Sequence, residues 1–281
     1  MASAEAAGGP PKWPARGDAS DVLVVSGLRK KYGQTWAVQD LHLRVRSGEI
    51  VGLIGPNGAG KTTTLKAIVG LLAHDAGTIL VNGLELQQDP LKYKGSFGYM
   101  PETFSLPEYL SADEFLEYVA RLHDLPLPTA QERIRDGLAR FDLSDRRRDL
   151  IQAYSKGMRQ KVAFLAATLH EPRLLLLDEP LIGIDPAGQV RLKEFVRGLA
   201  AKGSGVLVST HMLDTAERLC DHIAILNRGR TLAQGTLADL RGIAHAKTDS
   251  TLEEVFLQLT EEARMPPPPE PPRHRRFPFG R

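Results

Sequence analysis

Apolar residues recur in short segments along most of the chain, and their patterns predict strands of two kinds. Residues 35–45 alternate apolar with polar positions and, with residues 21–31 before them, predict antiparallel strands. Continuous apolar runs predict buried strands at residues 50–54, 174–177, 205–210 and 223–226. A short strand bounded by glycines is expected at residues 77–83, and the chain's final strand is expected to end at a turn over residues 227–230. Helical segments separate the buried runs, so we expect an α/β fold whose parallel sheet is covered on both faces.

A helical segment is inserted into this α/β core. Apolar residues recur at helical spacing from about residue 111 to residue 143, and Pro126 and Pro128 interrupt the pattern. We therefore expect an inserted α-helical subdomain at about residues 100–165.

Both ends of the chain differ from the core domain, which we expect over residues 21–240. Residues 1–20 are rich in Ala, Gly and Pro, and residues 265–281 form a Pro-rich basic tail, so we expect both to be disordered. A basic tail could contact acidic lipids or a protein, but such tails are usually solvated, and we assign it no function. Between them, residues 241–264 are expected to form a helical extension, and residues 250–259 show the helical spacing of a helix that docks on the core.

Composition limits the classes of partner. The 36 basic and 34 acidic residues leave a net charge of +2, which gives no global case for nucleic-acid binding. Cys220 is the only cysteine, so an internal disulfide and a thiolate zinc cluster are excluded, and a reducing cytosol fits. No run approaches the roughly 20 apolar residues that cross a bilayer, and we do not expect the chain to span a membrane by itself.

One glycine-rich segment carries specific chemistry. It follows the apolar run at residues 50–54 and consists of Gly55, Pro56, Asn57, Gly58, Ala59, Gly60, Lys61 and Thr62. Glycines allow backbone N–H groups to face a phosphate, and a helix that continues through Thr63 adds positive potential. Lys61 can reach the β- and γ-phosphates, and the Thr62 hydroxyl can ligate Mg²⁺. The segment therefore predicts a phosphate-binding loop for a nucleoside triphosphate.

Two adjacent carboxylates follow the apolar run at residues 174–177. Asp178 and Glu179 lie at the C-terminal end of a predicted buried strand, where open α/β sheets bind ligands. Asp178 could hold Mg²⁺ directly or through water, and Glu179 is the candidate general base for a water beside the γ-phosphate. A surface acidic pair at a strand end is the alternative, and the upstream loop makes it the weaker one.

These segments, with residues 154–160, resemble the nucleotide-binding subunit of an ABC transporter over about residues 21–259. The resemblance implies a P-loop NTPase (RecA-like) core with an antiparallel β-subdomain and an inserted α-helical subdomain. The family's signature segment here reads Tyr-Ser-Lys-Gly-Met instead of Leu-Ser-Gly-Gly-Gln. It keeps Ser155 and Gly157, which by resemblance hydrogen-bond the γ-phosphate of ATP held by a partner subunit. Lys156 and Met158 depart from the common form in a way that resembles ATPases paired with ABC-2-type permeases. The end of the cassette, at residues 250–259, resembles ABC-2-type and subfamily A exporter ATPases.

The resemblance also implies roles for isolated residues. Tyr32 matches an aromatic residue that stacks on adenine, with a core tyrosine as the alternative. His211 follows the strand at residues 205–210 and matches the histidine that hydrogen-bonds the γ-phosphate. Asp185 matches a loop that crosses the dimer interface, and it could also cap the next helix.

Glu102 stands where the family usually has glutamine. An ionised carboxylate only accepts hydrogen bonds, so Glu102 could still ligate Mg²⁺, whereas a donor hydrogen bond would require its protonation. ABC-2-type relatives carry the same exchange, and we expect it to be tolerated. Because Glu102 begins the helical insert, loss of the γ-phosphate is expected to swing that subdomain, which by resemblance bears the groove for a permease helix.

The resemblance implies an ATP-hydrolysing subunit that works with Mg²⁺. A homodimer, or a heterodimer with another ATPase subunit, would enclose two ATP molecules and drive a separate permease for export from the cytoplasmic face of the inner or plasma membrane. A soluble ABC ATPase that acts on nucleic acid or ribosomes is one alternative, but such proteins usually carry two cassettes or a long coiled-coil insertion. A second alternative is a regulatory subunit that binds ATP without hydrolysing it. The presence of Glu179 and His211 is evidence against this alternative. The cargo is not identified by this chain.

Overall fold

A computed structural model describes residues 21–262, so the predicted disordered tails lie outside the described residues. The strands are β1 (Asp21–Tyr32), β2 (Thr35–Arg46), β3 (Ile50–Ile54), β4 (Ala76–Val81), β5 (Phe97–Met100), β6 (Leu174–Asp178), β7 (Gly205–Thr210), β8 (His222–Asn227) and β9 (Arg230–Gly235). The helices are α1 (Lys61–Ile68), α2 (Pro90–Gly95), α3 (Ala112–Leu122), α4 (Leu127–Arg140), α5 (Lys156–Thr168), α6 (Pro186–Ala201), α7 (Leu213–Leu219), α8 (Leu237–Ile243) and α9 (Leu252–Glu262).

The smaller sheet is antiparallel and has the order β2-β1-β4. Strands β1 and β2 pair from Asp21 opposite Arg46 to Tyr32 opposite Thr35, as the alternating pattern predicts. Four apolar residues of β2 are buried, whereas Trp36 near its start is exposed; the buried ones are Val38, Leu41, Leu43 and Val45. This sheet therefore covers part of the core with one apolar face.

The larger sheet has the order β5-β6-β7-β3-β8-β9, and all its neighbouring strands except β8 and β9 are parallel. Every residue of β3, β6 and β7 is buried, as their apolar runs predict. Strand β8 ends at the turn over residues 227–230 as predicted, but the prediction that it is the chain's last strand is wrong. After that turn, β9 pairs antiparallel with β8, and its sequence lacks a continuous apolar run because it lies at the edge of the sheet.

Helices α3, α4 and α5 form the helical insert. Ser111 begins α3 with a capping box that includes Glu114, and Pro126 is the N-cap of α4. The aromatic side chains of Phe141, Phe164 and Phe195 contact one another, and Phe195 belongs to α6 of the core. The insert is thus packed on the core through a shared aromatic cluster.

The C-terminal helices close the other end of the larger sheet. Leu252, Val255 and Leu259 of α9 are buried in one cluster with Ile225 of β8 and Leu240 of α8. These contacts are those of a helix that docks on the core. Over residues 21–262, none of the helices has the length and apolar character needed to cross a membrane.

Candidate functional site

The predicted chemistry meets at one edge of the larger sheet. Strand β7 lies between β3 and β6, and the pairing aligns Ile54 with Thr210 and Asp178 with Ser209. Because all three strands are parallel, their C-terminal ends lie together. The phosphate-binding loop after β3 is therefore beside the segments that follow β6 and β7.

Two glycines make the path of the loop possible. A Cβ atom on Gly55 would lie 2.3 Å from the carbonyl oxygen of Leu226. Gly60 has a φ of 109°, and a Cβ there would lie 2.3 Å from the carbonyl oxygen of Ala37. Helix α1 then begins at Lys61, and among residues 21–262 no side chain caps it, so its first N–H groups face the loop, as anion binding requires.

Lys61 is buried at the start of α1. Its ammonium group donates hydrogen bonds to the carbonyl oxygens of Gly55 at 2.7 Å and Pro56 at 3.3 Å. The same nitrogen lies 3.8 Å from Oε1 of Glu179. One cation thus contacts both the loop and the carboxylate after β6.

Glu179 is the central residue of the site. Its backbone φ of 50° is unusual for a residue with a side chain, and its N–H donates to the carbonyl oxygen of Ser209 at 3.0 Å. Its Oε2 accepts a hydrogen bond from the Thr210 hydroxyl at 3.0 Å, and its Oε1 lies 2.8 Å from Nδ1 of His211. The carboxylate is buried and the His211 ring is half exposed, so the pair connects the interior of the site with its surface.

The two carboxylate oxygens of Asp178 have different surroundings. Its Oδ1 accepts a hydrogen bond from the Ser209 hydroxyl, whereas its buried Oδ2 has no hydrogen-bond partner among residues 21–262. Burial raises the pKa of Asp178, and hydrogen bonding from the hydroxyls of Ser209 and Thr62 acts in the opposite direction. A buried carboxylate oxygen without a donor, near a second hydroxyl oxygen, fits a hard cation such as Mg²⁺.

The donor set is small. Over residues 21–262, no cluster of three or more His, Cys, Asp or Glu side chains is arranged to hold a metal. Mg²⁺ in nucleotide sites usually takes only one or two protein ligands, because phosphate oxygens and waters complete its shell.

Two predicted residues have exposed side chains. Glu102 lies two residues after the end of β5, and its side chain is exposed. The last residue of β5, Met100, pairs with Leu177, which precedes Asp178. Tyr32 lies at the end of the β1–β2 hairpin and is 52% exposed, so the alternative of a core tyrosine is wrong. The ammonium of Lys30 lies 5.6 Å from the centre of the Tyr32 ring.

The signature residues have different neighbours. The Ser155 hydroxyl caps α5 by accepting a hydrogen bond from the N–H of Met158 at 3.3 Å. A Cβ on Gly157 would lie 2.8 Å from the carbonyl oxygen of Gly183, in the loop before α6. In the part of the chain that the structure describes, no hydrogen bond joins Ser155 to the phosphate-binding loop of the same chain.

Asp185 caps the N-terminus of α6, which is the alternative role that the sequence allowed. It accepts a hydrogen bond from the N–H of Gly188 at 3.0 Å and pairs with Lys161 of α5 at 3.0 Å. Hydrogen bonding from Lys161, followed by that from Gly188, lowers the pKa of Asp185. The signature helix and the loop after Glu179 are therefore linked by an ion pair.

Sequence reasoning gave no role to three side chains near the carboxylates. Ser209 and Thr210 donate to Asp178 and Glu179, and hydroxyl residues at the end of an otherwise apolar strand are the signal that could have indicated them. Tyr99 of β5 also lies near Asp178. Burial, and then the charge of Asp178, raise the pKa of its phenol. Its buried hydroxyl has no hydrogen-bond partner among residues 21–262.

The fold and this edge define a P-loop ATPase with an inserted helical subdomain. A sequence profile of the family described as ABC transporter matches residues 38–182. The chain belongs to the ABC transporter family, in which it is an ATP-binding subunit and an ATPase.

Similar proteins include transporter subunits from bacteria. The ABC-type transporter ATP-binding protein EcsA of Bacillus subtilis (strain 168) is 39% identical over 241 residues, which are 86% of this chain and 97% of EcsA. The daunorubicin resistance ATP-binding protein DrrA3 of Streptomyces coeruleorubidus is 38% identical over 79% of this chain and 71% of its own length. A solved structure described as an ATP binding subunit of an ABC transporter superposes with a TM-score of 0.82 at 40% identity, covering 85% of this chain and 99% of that structure.

Proposed function

We propose that this protein hydrolyses ATP as a dimer and thereby drives a separate ABC-2-type membrane permease for export. The observation that carries the proposal is the contact of one buried carboxylate, Glu179, with both Lys61 and His211 at the C-terminal ends of the central strands. Its position supports proton transfer beside a bound triphosphate.

The nucleotide would lie along the phosphate-binding loop. Tyr32 would stack on the adenine, because its ring is exposed at a hairpin whose second strand contacts Gly60 through Ala37. Backbone N–H groups from Gly55 to Thr63 would surround the phosphates, and the Lys61 ammonium would neutralise the β- and γ-phosphates.

Thr62 and Asp178 are the residues that we expect to hold Mg²⁺, with Glu102 as a third oxygen donor. When bound, the ion would neutralise charge on the phosphates. The unpartnered Oδ2 of Asp178 supports this assignment.

Glu179 is the general base in this proposal. Its carboxylate would accept a proton from water while that water attacks the γ-phosphorus, and the bond from this phosphorus to the bridging oxygen would break so that ADP leaves. The Thr210 hydroxyl and the His211 ring hold the carboxylate in one orientation, and His211, as the more exposed group, would also contact the γ-phosphate.

The site is proposed to be completed by a second subunit. Ser155 and Gly157 of the partner would cover the γ-phosphate with the N-terminus of α5, and Asp185 would lie near that interface. In support, the hydroxyl of Ser155 lies on the exposed start of α5 and is bonded only to Met158 among the described residues. Either a homodimer or a heterodimer with another ATPase subunit satisfies this arrangement.

The permease is proposed to dock beside the helical insert. A groove of about 270 Å³ lies between β5 and the helices α3 and α5, and its apolar lining includes Phe104, Leu106, Phe115 and Val119. Docking there would hold the protein on the cytoplasmic face of the membrane. Export is supported by the names of two similar proteins, for daunorubicin resistance and linearmycin resistance.

ATP turnover by the Glu179→Gln variant tests the proposal. The amide keeps the size of the side chain but cannot accept the proton, so we expect turnover to fall by about 10²–10⁴-fold while ATP binding is retained. Glu194→Gln, at an exposed position on α6, is the matched control and should keep full turnover. Equal turnover by the wild type and the Glu179→Gln variant would show that Glu179 is not the base.

A further inference from the structure

A cavity of about 480 Å³ opens between the helical insert and the core. Its walls come from α4, the C-terminal end of α5 and the second half of α6, and none of the proposed nucleotide-site residues lines it. A volume of this size is typical of sites for small organic ligands.

One wall of the cavity is apolar. Leu165 and Leu199 are buried, and the ring of Phe195 is partly buried beside them. Gly198 adds open space, because a Cβ atom placed on it would meet no atom of residues 21–262 within 4 Å. The apolar body of a ligand could therefore lie against these residues without displacing backbone atoms.

The rim of the cavity carries an excess of one positive charge. Its cations are Arg133, Arg140 and Lys202, and its anions are Asp136 and Glu171. Glu171 pairs with both Arg133 and Lys202, while the Asp136 carboxylate lies 3.7 Å from the guanidinium of Arg135.

Arg140 is the remaining cation. Its guanidinium carbon lies 5.1 Å from the centre of the Phe195 ring, on which it packs. Over residues 21–262 no carboxylate forms an ion pair with it. Arg140 thus presents free donors next to the apolar wall.

We propose that this cavity binds a small amphiphilic carboxylate. The carboxylate group pairs with the guanidinium of Arg140 in a two-point contact, and the apolar body packs on Leu165, Leu199 and Phe195. Such a ligand contacts α4 of the insert and α6 of the core at the same time. The inference rests on the cavity alone and does not require that the protein hydrolyse ATP.

Isothermal titration of the full chain with decanoate, below its micelle concentration and without nucleotide, tests the proposal. We expect saturable binding of one decanoate per chain, and binding weaker by about tenfold or more for decanol and decyltrimethylammonium, because a lost charge-assisted contact costs at least about 1.4 kcal/mol. No saturable decanoate binding at millimolar concentration, or equal binding of decanol, would overturn the proposal.

Two variants and a control locate the site. Arg140→Gln should weaken decanoate binding by about tenfold or more, and Gly198→Leu should abolish it by filling the cavity with a residue that also favours the helix. Arg135→Gln, on the same helix but outside the cavity, should bind decanoate as the wild type does. If Arg140→Gln and Gly198→Leu bind decanoate with unchanged affinity, the ligand lies elsewhere and the proposal is wrong. ATP turnover of the same samples is measured separately, so that a failure of the proposed ATPase function is distinguished from a failure of decanoate binding.

Discussion

At the scale of single residues, two hydroxyl groups at the end of β7 distinguish the two neighbouring carboxylates. Ser209 donates to Asp178, and Thr210 donates to Glu179. Each hydroxyl occupies one carboxylate oxygen, so Asp178 keeps one oxygen for a cation and Glu179 keeps contacts with Lys61 and His211. The sequence indicates the two acids, but not this division, because it depends on the register of β6 against β7.

Ser209→Ala should weaken the binding of Mg²⁺. The Ser209 hydroxyl lowers the pKa of Asp178 against the effect of burial, so its removal raises that pKa and leaves more of the carboxyl protonated. We expect the Mg²⁺ concentration for half-maximal ATP turnover to rise by about 3–10-fold at pH 6.5, and by less at pH 8, because a higher pH favours the ionised carboxyl in both proteins.

Ser204→Ala is the matched control for this measurement. Ser204 is also a buried serine, but it precedes β7 and donates to the carbonyl oxygen of Pro172, far along the strand from Asp178. Its loss should leave the Mg²⁺ dependence unchanged. An identical Mg²⁺ requirement in Ser209→Ala and the wild type at pH 6.5 would contradict the role given to Ser209.

At the scale of elements, the sequence predicts the strands of the larger sheet that have a continuous apolar run, but not the two strands at the edges of that sheet. Strand β6 has four consecutive leucines and is buried throughout, so its sequence alone indicates its place in the sheet. Strands β5 and β9 lie at the two edges, where one side of each strand lacks a partner, and their short mixed sequences resemble loops. The breaks at Pro126 and Pro128, in contrast, give the start of α4 closely because proline favours the first turn of a helix.

The helical insert contains a histidine pair that should make stability depend on pH. His123 follows α3, His170 follows α5, and their rings stack at 3.7 Å between centres, with Nε2 of His170 3.3 Å from the carbonyl oxygen of Phe97. Burial, and secondarily the neighbouring His123, lower the pKa of His170 to about 4. The unfolded chain binds this proton near pH 6.5, so the stability contributed by neutral His170 is complete above pH 6.5 and is lost as the pH falls towards 4.

Urea unfolding at pH 7.5 and pH 5 measures this effect. For the wild type we expect His170 to account for a loss of about 1–2 kcal/mol of unfolding free energy at pH 5, less than its full linkage value because the ring is only partly buried. Glutamine has no charge at either pH. The unfolding free energy of His170→Gln should therefore fall between pH 7.5 and pH 5 by about 1–2 kcal/mol less than that of the wild type. His42→Gln removes a partly exposed histidine outside the helical insert and should keep the wild-type difference. The same loss in His170→Gln as in the wild type would rule out His170 as its source.

At the scale of the whole molecule, the site within one chain is incomplete in the proposed mechanism. The phosphate-binding loop lies at the C-terminal edge of the larger sheet, whereas Ser155 begins a helix of the insert and is hydrogen-bonded to Met158. A head-to-tail pair of chains would bring the loop of each subunit to the signature segment of the other. Each ATP would then depend on Lys61 from one chain and Ser155 from its partner.

Mixing two inactive variants tests this arrangement. Lys61→Ala removes the loop cation and Ser155→Arg blocks the signature surface, so each variant alone should lose nearly all ATP turnover. After the two are mixed, half of the dimers are mixed pairs in which one of two sites has an intact loop and an intact signature segment, and turnover should recover to about a quarter of the wild-type value. Lys61→Ala mixed with the double variant Lys61→Ala/Ser155→Arg offers no intact pair and should stay inactive. If Ser155→Arg alone keeps full turnover, or if mixing exchanges subunits without recovery, the site is not shared between two copies of this chain.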